Sequence, residues 1–245
     1  MSKYLILGGT SAVALEYIRA HDWQAGDEIV MQYAHSSAAI ENLQQELAKS
    51  PVKITAMAAD FLNMDSTRDF IAKLQELDFI PTHVLALNAV PIENKRFTEE
   101  RWEDFAAQMA VSVRAVVLIL QSFIKKMAKT KTGKIVLVLS EGTIGVPPKY
   151  LSSYITSKYA LLGLGRALAS EYAGKIAINM VSPAMMETKF LAGVYDGVVE
   201  KTAQENPYKR NCTPLDVANV LEFLFSAKNT FTTGANIPVT GGTQF

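Results

Sequence analysis

The stretch Tyr4-Leu5-Ile6-Leu7-Gly8-Gly9-Thr10-Ser11-Ala12-Val13-Ala14 sets the reading of the whole chain. Four apolar residues in a row, stopped by two glycines, describe a strand buried on both faces. The helical spacing that follows, over Val13–His21, describes the next element. Strand, glycine turn and helix start, in that order, leave backbone N–H groups and the positive end of a helix dipole facing an anion. The glycine pattern is sparse, however. GxGxxG is absent, and Ala12 and Ala14 stand where further glycines would serve a dinucleotide turn. Taken alone, the turn reads equally as a phosphate cradle and as an ordinary strand–helix connection.

Working outward, the alternation repeats. Strands are expected at Glu28–Tyr33, Val52–Ala58, His83–Leu87, Lys134–Leu139, Ile176–Val181 and Ala235–Val239. Helices are expected at Ser37–Ala48, Ser66–Leu77, Thr98–Ala128 (with one break), Ser153–Ala173 and Thr213–Phe225. Apolar strands separated by helices imply an α/β fold, a parallel sheet of about seven strands with helices on both faces. Right-handed crossovers make such a sheet doubly wound, with ligands beyond the carboxyl ends of the strands. Gly8-Gly9, Asp60, Asn88, Ser140 and Pro183 each follow a strand. No repeat or linker divides the 245 residues, so a single domain, 1–245, is expected. The least regular segment, 184–212, carries Gly193, Gly197 and Pro207 and reads as a lid over the ligand end.

Composition narrows the function. Lys and Arg together number 24, as do Asp and Glu, so there is no basic excess for nucleic acid. The lone Cys212 can form neither an internal disulfide nor a thiolate zinc site, and no metal centre is expected. Nothing places a histidine beside Cys212 as a base, so it reads as a packing residue. The longest purely apolar run, Ala115–Leu120, is far short of the roughly 20 residues that span a bilayer. A soluble cytoplasmic protein is expected.

Two further groups suggest chemistry. In Tyr154-Ile-Thr-Ser-Lys158 the phenol and the ammonium stand four residues apart, on one face of a helix. A nearby cation favours the phenolate and suits proton transfer to or from an alcohol oxygen. Ser140 ends the fifth strand, where its hydroxyl could share that oxygen. Each of these residues, alone, also fits an ordinary amphipathic helix or turn.

The ordered set is more specific than its parts. Glycine turn, Asp60, Asn88-Ala89, Ser140, Tyr154, Lys158 and Asn179-Met-Val-Ser-Pro183 come in sequence after successive strands. Ser157-Lys158-Tyr-Ala-Leu-Leu-Gly-Leu-Gly follows in the helix, and Thr233-Gly-Ala-Asn-Ile-Pro-Val-Thr-Gly-Gly242 closes the chain. Over nearly its whole length the sequence resembles the short-chain dehydrogenase/reductase family, a Rossmann-type fold, and is similar to 3-oxoacyl-carrier-protein reductases. The resemblance implies an oxidoreductase moving a hydride between a nicotinamide cofactor and a ketone or secondary alcohol, with a 3-oxoacyl substrate in range. It implies Tyr154 as proton donor in reduction, Lys158 on the nicotinamide ribose, and Ser140 on the substrate oxygen. Gly9, Ser11 and Val13 would line the pyrophosphate turn, and Asp60 with the backbone of Phe61 would meet adenine. Asn88 and Ala89 would border the adenine ribose; Pro183, Met186 and Thr188 would hold the carboxamide.

The sequence departs from the family at three places. The glycine turn is one residue short and carries Ala12-Val13-Ala14. Ser112 replaces the asparagine that supports a water relay to the lysine. Ala184 follows Pro183 in place of glycine, with Met185 next. The second strand ends Tyr33-Ala-His35-Ser36 without an acidic residue for two ribose hydroxyls, so NADP(H) is expected over NAD(H), with His35 near the 2′-phosphate. Phe190, Leu191, Val194, Tyr195, Val198 and Val199 give the lid an apolar face, for an acyl chain or for packing on the body. Lys125, Lys126, Lys129 and Lys131 could dock an acyl carrier protein or lie solvated. The family implies a homo-oligomer, dimer or tetramer, through helices near Thr98–Lys126 and Tyr154–Tyr172. The alternative is a weakened or inactive cofactor-binding partner subunit on the same fold.

Overall fold

The protein was analysed as a computed structural model, which describes residues 1–188 and 196–244. Seven strands form one sheet: β1 (Lys3–Leu7), β2 (Glu28–Tyr33), β3 (Lys53–Ala58), β4 (His83–Ala86), β5 (Gly133–Val138), β6 (Ile176–Pro183) and β7 (Asn236–Val239). Their order is β3-β2-β1-β4-β5-β6-β7, and every neighbouring pair is parallel. The order reverses between β1 and β4, which opens a crevice at their carboxyl ends. Leu7 pairs with Ala86 there, so Gly8-Gly9 and Asn88 emerge side by side.

Eight helices cover the sheet among the described residues: α1 (Ala12–Ala20), α2 (Ala38–Glu46), α3 (Met64–Glu76), α4 (Trp102–Gln108), α5 (Ala115–Thr130), α6 (Ser152–Glu171), α7 (Asp196–Glu205) and α8 (Pro214–Phe225). Successive side chains of a strand point to opposite faces. Leu5 and Leu7 accordingly join α3, α5 and α6 in one core, while Tyr4 and Ile6 join α1, α2 and α8 in the other. Both faces are covered, which is why the strands read as unbroken apolar runs.

Three differences from the sequence reading have physical causes. The break expected in Thr98–Ala128 is a π-helical turn, Met109–Arg114, joining α4 to α5. The side-chain amide of Asn88 donates to the carbonyl of Val111 within that turn. Second, β6 runs through Pro183 instead of stopping before it. Pro183 lies beyond the last residue paired with β5 and pairs only with Val239, a strand-end place where the missing N–H is tolerated. Third, the segment 184–212 contains α7, which the sequence reading treated as irregular; Phe190, Leu191, Val194 and Tyr195 lie outside the described residues. Taken over its full 29 residues, Trp102–Thr130 is long and apolar enough to cross a membrane by length and composition, which its purest run concealed. Its Val116, Ile119, Phe123 and Met127 are buried in the core beside the sheet.

Candidate active site

The glycine turn explains its own sparse pattern. Gly8 has φ of 79°, and a Cβ there would come within 2.9 Å of the Asn88 amide nitrogen. A Cβ at Gly9 would come within 2.8 Å of Met31 Cβ. These two positions require glycine; Ala12 and Ala14 lie in α1 itself, where alanine is the best helix former. Ser11 caps that helix, its Oγ accepting from the Ala14 amide at 3.1 Å. Ser11, Ala12 and Val13 line a cleft at the helix N-terminus, where first-turn amides have no intrahelical acceptor.

Two residues that sequence reasoning missed hold this half together. Gln32 in β2 is buried and accepts from the Gly8 amide (2.8 Å) while donating to the Ala59 carbonyl (2.6 Å). Arg114, at the end of the π-turn, donates to the carbonyls of Phe61 (2.9 Å) and Leu62 (3.0 Å). The Phe61 ring is buried against Phe70, which leaves its backbone as the part a ligand could meet. The Asp60 carboxylate accepts from the Leu62 amide at 2.9 Å. His35 is exposed beyond β2, and the Ser37 hydroxyl beside it donates to Glu41.

The other half is built on β5 and α6. Ser140 follows β5 in an extended conformation and starts the short 3₁₀ turn Glu141–Thr143. Tyr154 and Lys158 share the buried face of α6. The Lys158 ammonium lies 5.6 Å from the Tyr154 ring centroid and donates to the Val138 carbonyl at 2.9 Å. Burial pushes the Lys158 ammonium down to about 8. Burial pushes the Tyr154 phenol up to about 12; a hydrogen bond with Ser140 opposes the rise and the Glu141 charge adds to it. Burial is the largest cause of that rise, and in this state the Lys158 cation donates to the Val138 carbonyl.

Ala89, Ser140, Tyr154 and Lys158 line the same cleft as the glycine turn. So do Pro183 at the end of β6 and Met186 and Thr188 just beyond it. Met186 also packs against the second core. Gly9, Asp60, Phe61, Asn88, His35 and Ser112 are not among the cleft-lining residues. Ser112 is fully buried in the π-turn, and among the described residues neither its Oγ nor Asn88 Oδ1 has a hydrogen-bond partner. Cys212 is half-buried, burial lifts its thiol to about 12, and its Sγ points to the Thr213 carbonyl, as suits packing.

A family model described as Enoyl-(Acyl carrier protein) reductase matches residues 17–244. The chain belongs to the short-chain dehydrogenase/reductase family. It is 25% identical to the 3-oxoacyl-[acyl-carrier-protein] reductase of Staphylococcus epidermidis over 99% of each chain. A 3-oxoacyl-[acyl-carrier protein] reductase structure from Brucella melitensis, with bound NAD, has a TM-score of 0.84 at 18% identity, covering 98% of this chain and 90% of that one. A dehydrogenase structure from Beutenbergia cavernae, with NADP at low occupancy, has a TM-score of 0.86 at 21% identity, covering 98% of this chain and 96% of that one. The family binds a nicotinamide cofactor. The residues here fit one: a cradle that a Cβ would fill, a free helix N-terminus, and buried polar groups converging on one cleft.

Proposed function

We propose that this family oxidoreductase reduces ketones, or oxidises the matching secondary alcohols, at Ser140, Tyr154 and Lys158, and prefers NADP(H). The observation that carries the reading is that Ser140, Tyr154 and Lys158 line one wall of a cleft that also exposes the α1 N-terminus. A bound nicotinamide supplies or accepts the hydride. The chain's own residues manage the oxygen and the proton. The Ser140 hydroxyl holds the carbonyl oxygen as charge develops. Tyr154 delivers a proton to that oxygen, and its high pKa keeps it protonated for the task. Lys158 would turn from Val138 to the nicotinamide ribose. Gly9, Ser11 and Val13 would take the pyrophosphate, Asp60 and the Phe61 backbone the adenine, and Asn88 and Ala89 its ribose. Pro183, Met186 and Thr188 would take the carboxamide.

The NADP preference rests on the exposed His35 and Ser36 at the end of β2, where no acidic residue follows the strand directly. Ser112 belongs to the proton path, and the segment 184–212 acts as a lid. A homo-oligomer through α4–α5 and α6 is part of the same proposal; Trp102 and Tyr159 stand exposed on those helices. Fluorescence titration with NADPH and NADH, followed by ketone-dependent consumption of the tighter cofactor, tests the reading. Tighter NADPH binding with turnover supports it. Binding without turnover of any ketone moves the chain to the cofactor-binding subunit.

A further inference from the structure

Among the described residues that line the cleft, Glu141 is the only charged one besides Lys158. Hydride transfer as described above does not use it. Glu141 follows Ser140 directly, so its backbone lies about 3.8 Å from that of the residue holding the substrate oxygen. Two remote segments fix its carboxylate. The Thr243 hydroxyl in the C-terminal tail donates to Oε2 at 3.3 Å, and the Met185 backbone after β6 lies close enough to favour the charged form. The tail itself is tightly seated: a Cβ on Gly145 would meet Gln244 Oε1. Burial lifts the carboxyl pKa. Glu141 also borders a second hollow behind the cleft, beside Pro148, Ala184 and Cys212.

An ionised carboxylate offers about four lone-pair sites, and among the described residues the Thr243 hydroxyl fills one of them. The cleft wall beside it is apolar, with Ile92, Pro148, Leu151 and Met185. A plain ketone pressed against that wall would strip water from Glu141 and return no donor, which is costly for a buried acceptor. A 3-oxoacyl thioester would bring a second carbonyl oxygen, another acceptor, which the carboxylate repels. A hydroxyl near the reacting carbonyl satisfies the site.

We propose that Glu141 is a specificity residue that accepts a hydrogen bond from a substrate hydroxyl about one or two carbons from the reacting carbonyl, so that the substrates are hydroxyketones and the corresponding diols. The inference rests on the ketone-reductase reading above.

Matched pairs test it. The wild type, Glu141→Gln and Glu141→Leu are assayed with 4-hydroxy-2-butanone against 2-pentanone, with 1-hydroxy-2-butanone against 3-pentanone, and with acetoacetyl-CoA. Within each pair a hydroxyl replaces a methyl group. The expected result is a preference of about tenfold or more in kcat/KM for the hydroxyketone in at least one pair. Glu141→Leu brings that ratio near one, and Glu141→Gln falls between. Because both members of a pair use the same Tyr154, the ratio cancels any effect of the substitution on the proton donor. Saturation-transfer NMR reads binding without turnover: wild-type protein should transfer more strongly to the hydroxyketone, and Glu141→Leu should not. Equal rates within both pairs in the wild type overturn the proposal. So does a ratio unchanged in Glu141→Leu, or acetoacetyl-CoA outrunning both hydroxyketones in wild type and variant alike. If nothing is reduced, the assignment of Ser140 and Tyr154 has failed, and the NMR comparison still decides Glu141.

Discussion

The same strands serve opposite purposes at their two ends. Near its start β1 carries Tyr4, whose ring stacks on His83 at 4.4 Å and meets Trp23 edge-on at 4.9 Å. It ends at Gly8-Gly9, where no side chain is tolerated. β4 begins with His83 and leads out to Asn88; β5 has Lys134 near its start and leads out to Ser140. By size the amino end would be chosen as the site, with a hollow of about 980 Å³ against about 180 Å³ in the carboxyl-end cleft. Chemistry decides otherwise. At the amino end the polar groups are spent on each other: His21 with Glu222 (2.6 Å), Thr82 with His83 (2.8 Å), the Trp23 indole with the Ile18 carbonyl (2.9 Å). Among the described residues the buried Tyr17 hydroxyl faces only the Tyr4 side of that cluster. At the carboxyl end Ser140, Glu141, Tyr154 and Lys158 converge on one cleft. Burial alone does not mark a site; buried polar groups facing a shared space do.

The sharpest way to break this comparison is Tyr154→Phe. Loss of the general acid should lower kcat by about 10³-fold or more, with the melting temperature and cofactor affinity close to wild type. Steady-state kinetics beside a cofactor titration checks both. Native turnover in the variant would mean that the carboxyl-end cluster is packing, like its counterpart at the other end.

How much of this was legible in the sequence follows from where each signal resides. The strands and the Tyr154–Lys158 spacing are local, and both ends of each pattern lie within a few residues. The site order after successive strands was visible because parallel topology returns each strand end to one edge. Gln32 and Arg114 gave no such signal. Their partners, Gly8 with Ala59 and Phe61 with Leu62, come from other strands, and a lone glutamine in an apolar strand or arginine in a helix looks ordinary. Glu141 was hidden for the same reason, because the C-terminal tail and the β6 exit define its surroundings. The π-turn was read only as a break, since one inserted residue rotates the apolar stripe by about 100°, and the pattern alone does not say what kind of break does so.

A second test sharpens the amino-end half. Burial, and next the nearby Lys134 charge, hold His83 down to about 4 in the folded protein, against 6.5 in an open chain. The unfolded chain therefore takes up a proton first as the pH falls. The stability tied to neutral His83 is fully present above about pH 6.5 and is lost towards pH 4, up to about 3 kcal/mol. Melting curves across that window should fall more steeply for the wild type than for His83→Phe, which keeps a ring against Tyr4 and cannot titrate. Parallel slopes would remove His83 from the cluster's role. Turnover at neutral pH should be indifferent to this change, in contrast to Tyr154→Phe.

The smallest expected effect concerns Ser112, the residue between the two regimes. It is as buried as any amino-end side chain, yet among the described residues its Oγ has no partner, and it sits next to Val111, whose carbonyl Asn88 binds. A buried hydroxyl without a protein partner is satisfied most simply by an ordered water, which requires other polar groups nearby. If that water leads protons toward Lys158, a side chain with longer reach should hold it better. Ser112→Asn should then raise kcat by a few-fold, leave cofactor affinity unchanged, and lower the melting temperature by no more than a few degrees. The pH dependence of kcat separates the possibilities. A relay residue shifts the limb set by proton delivery, whereas an overpacked core costs about 1–3 kcal/mol of stability and leaves that limb where it was. An unaltered limb with a large loss of stability would place Ser112 with the packed end of the sheet, and the proton path would then have to leave Lys158 by another route.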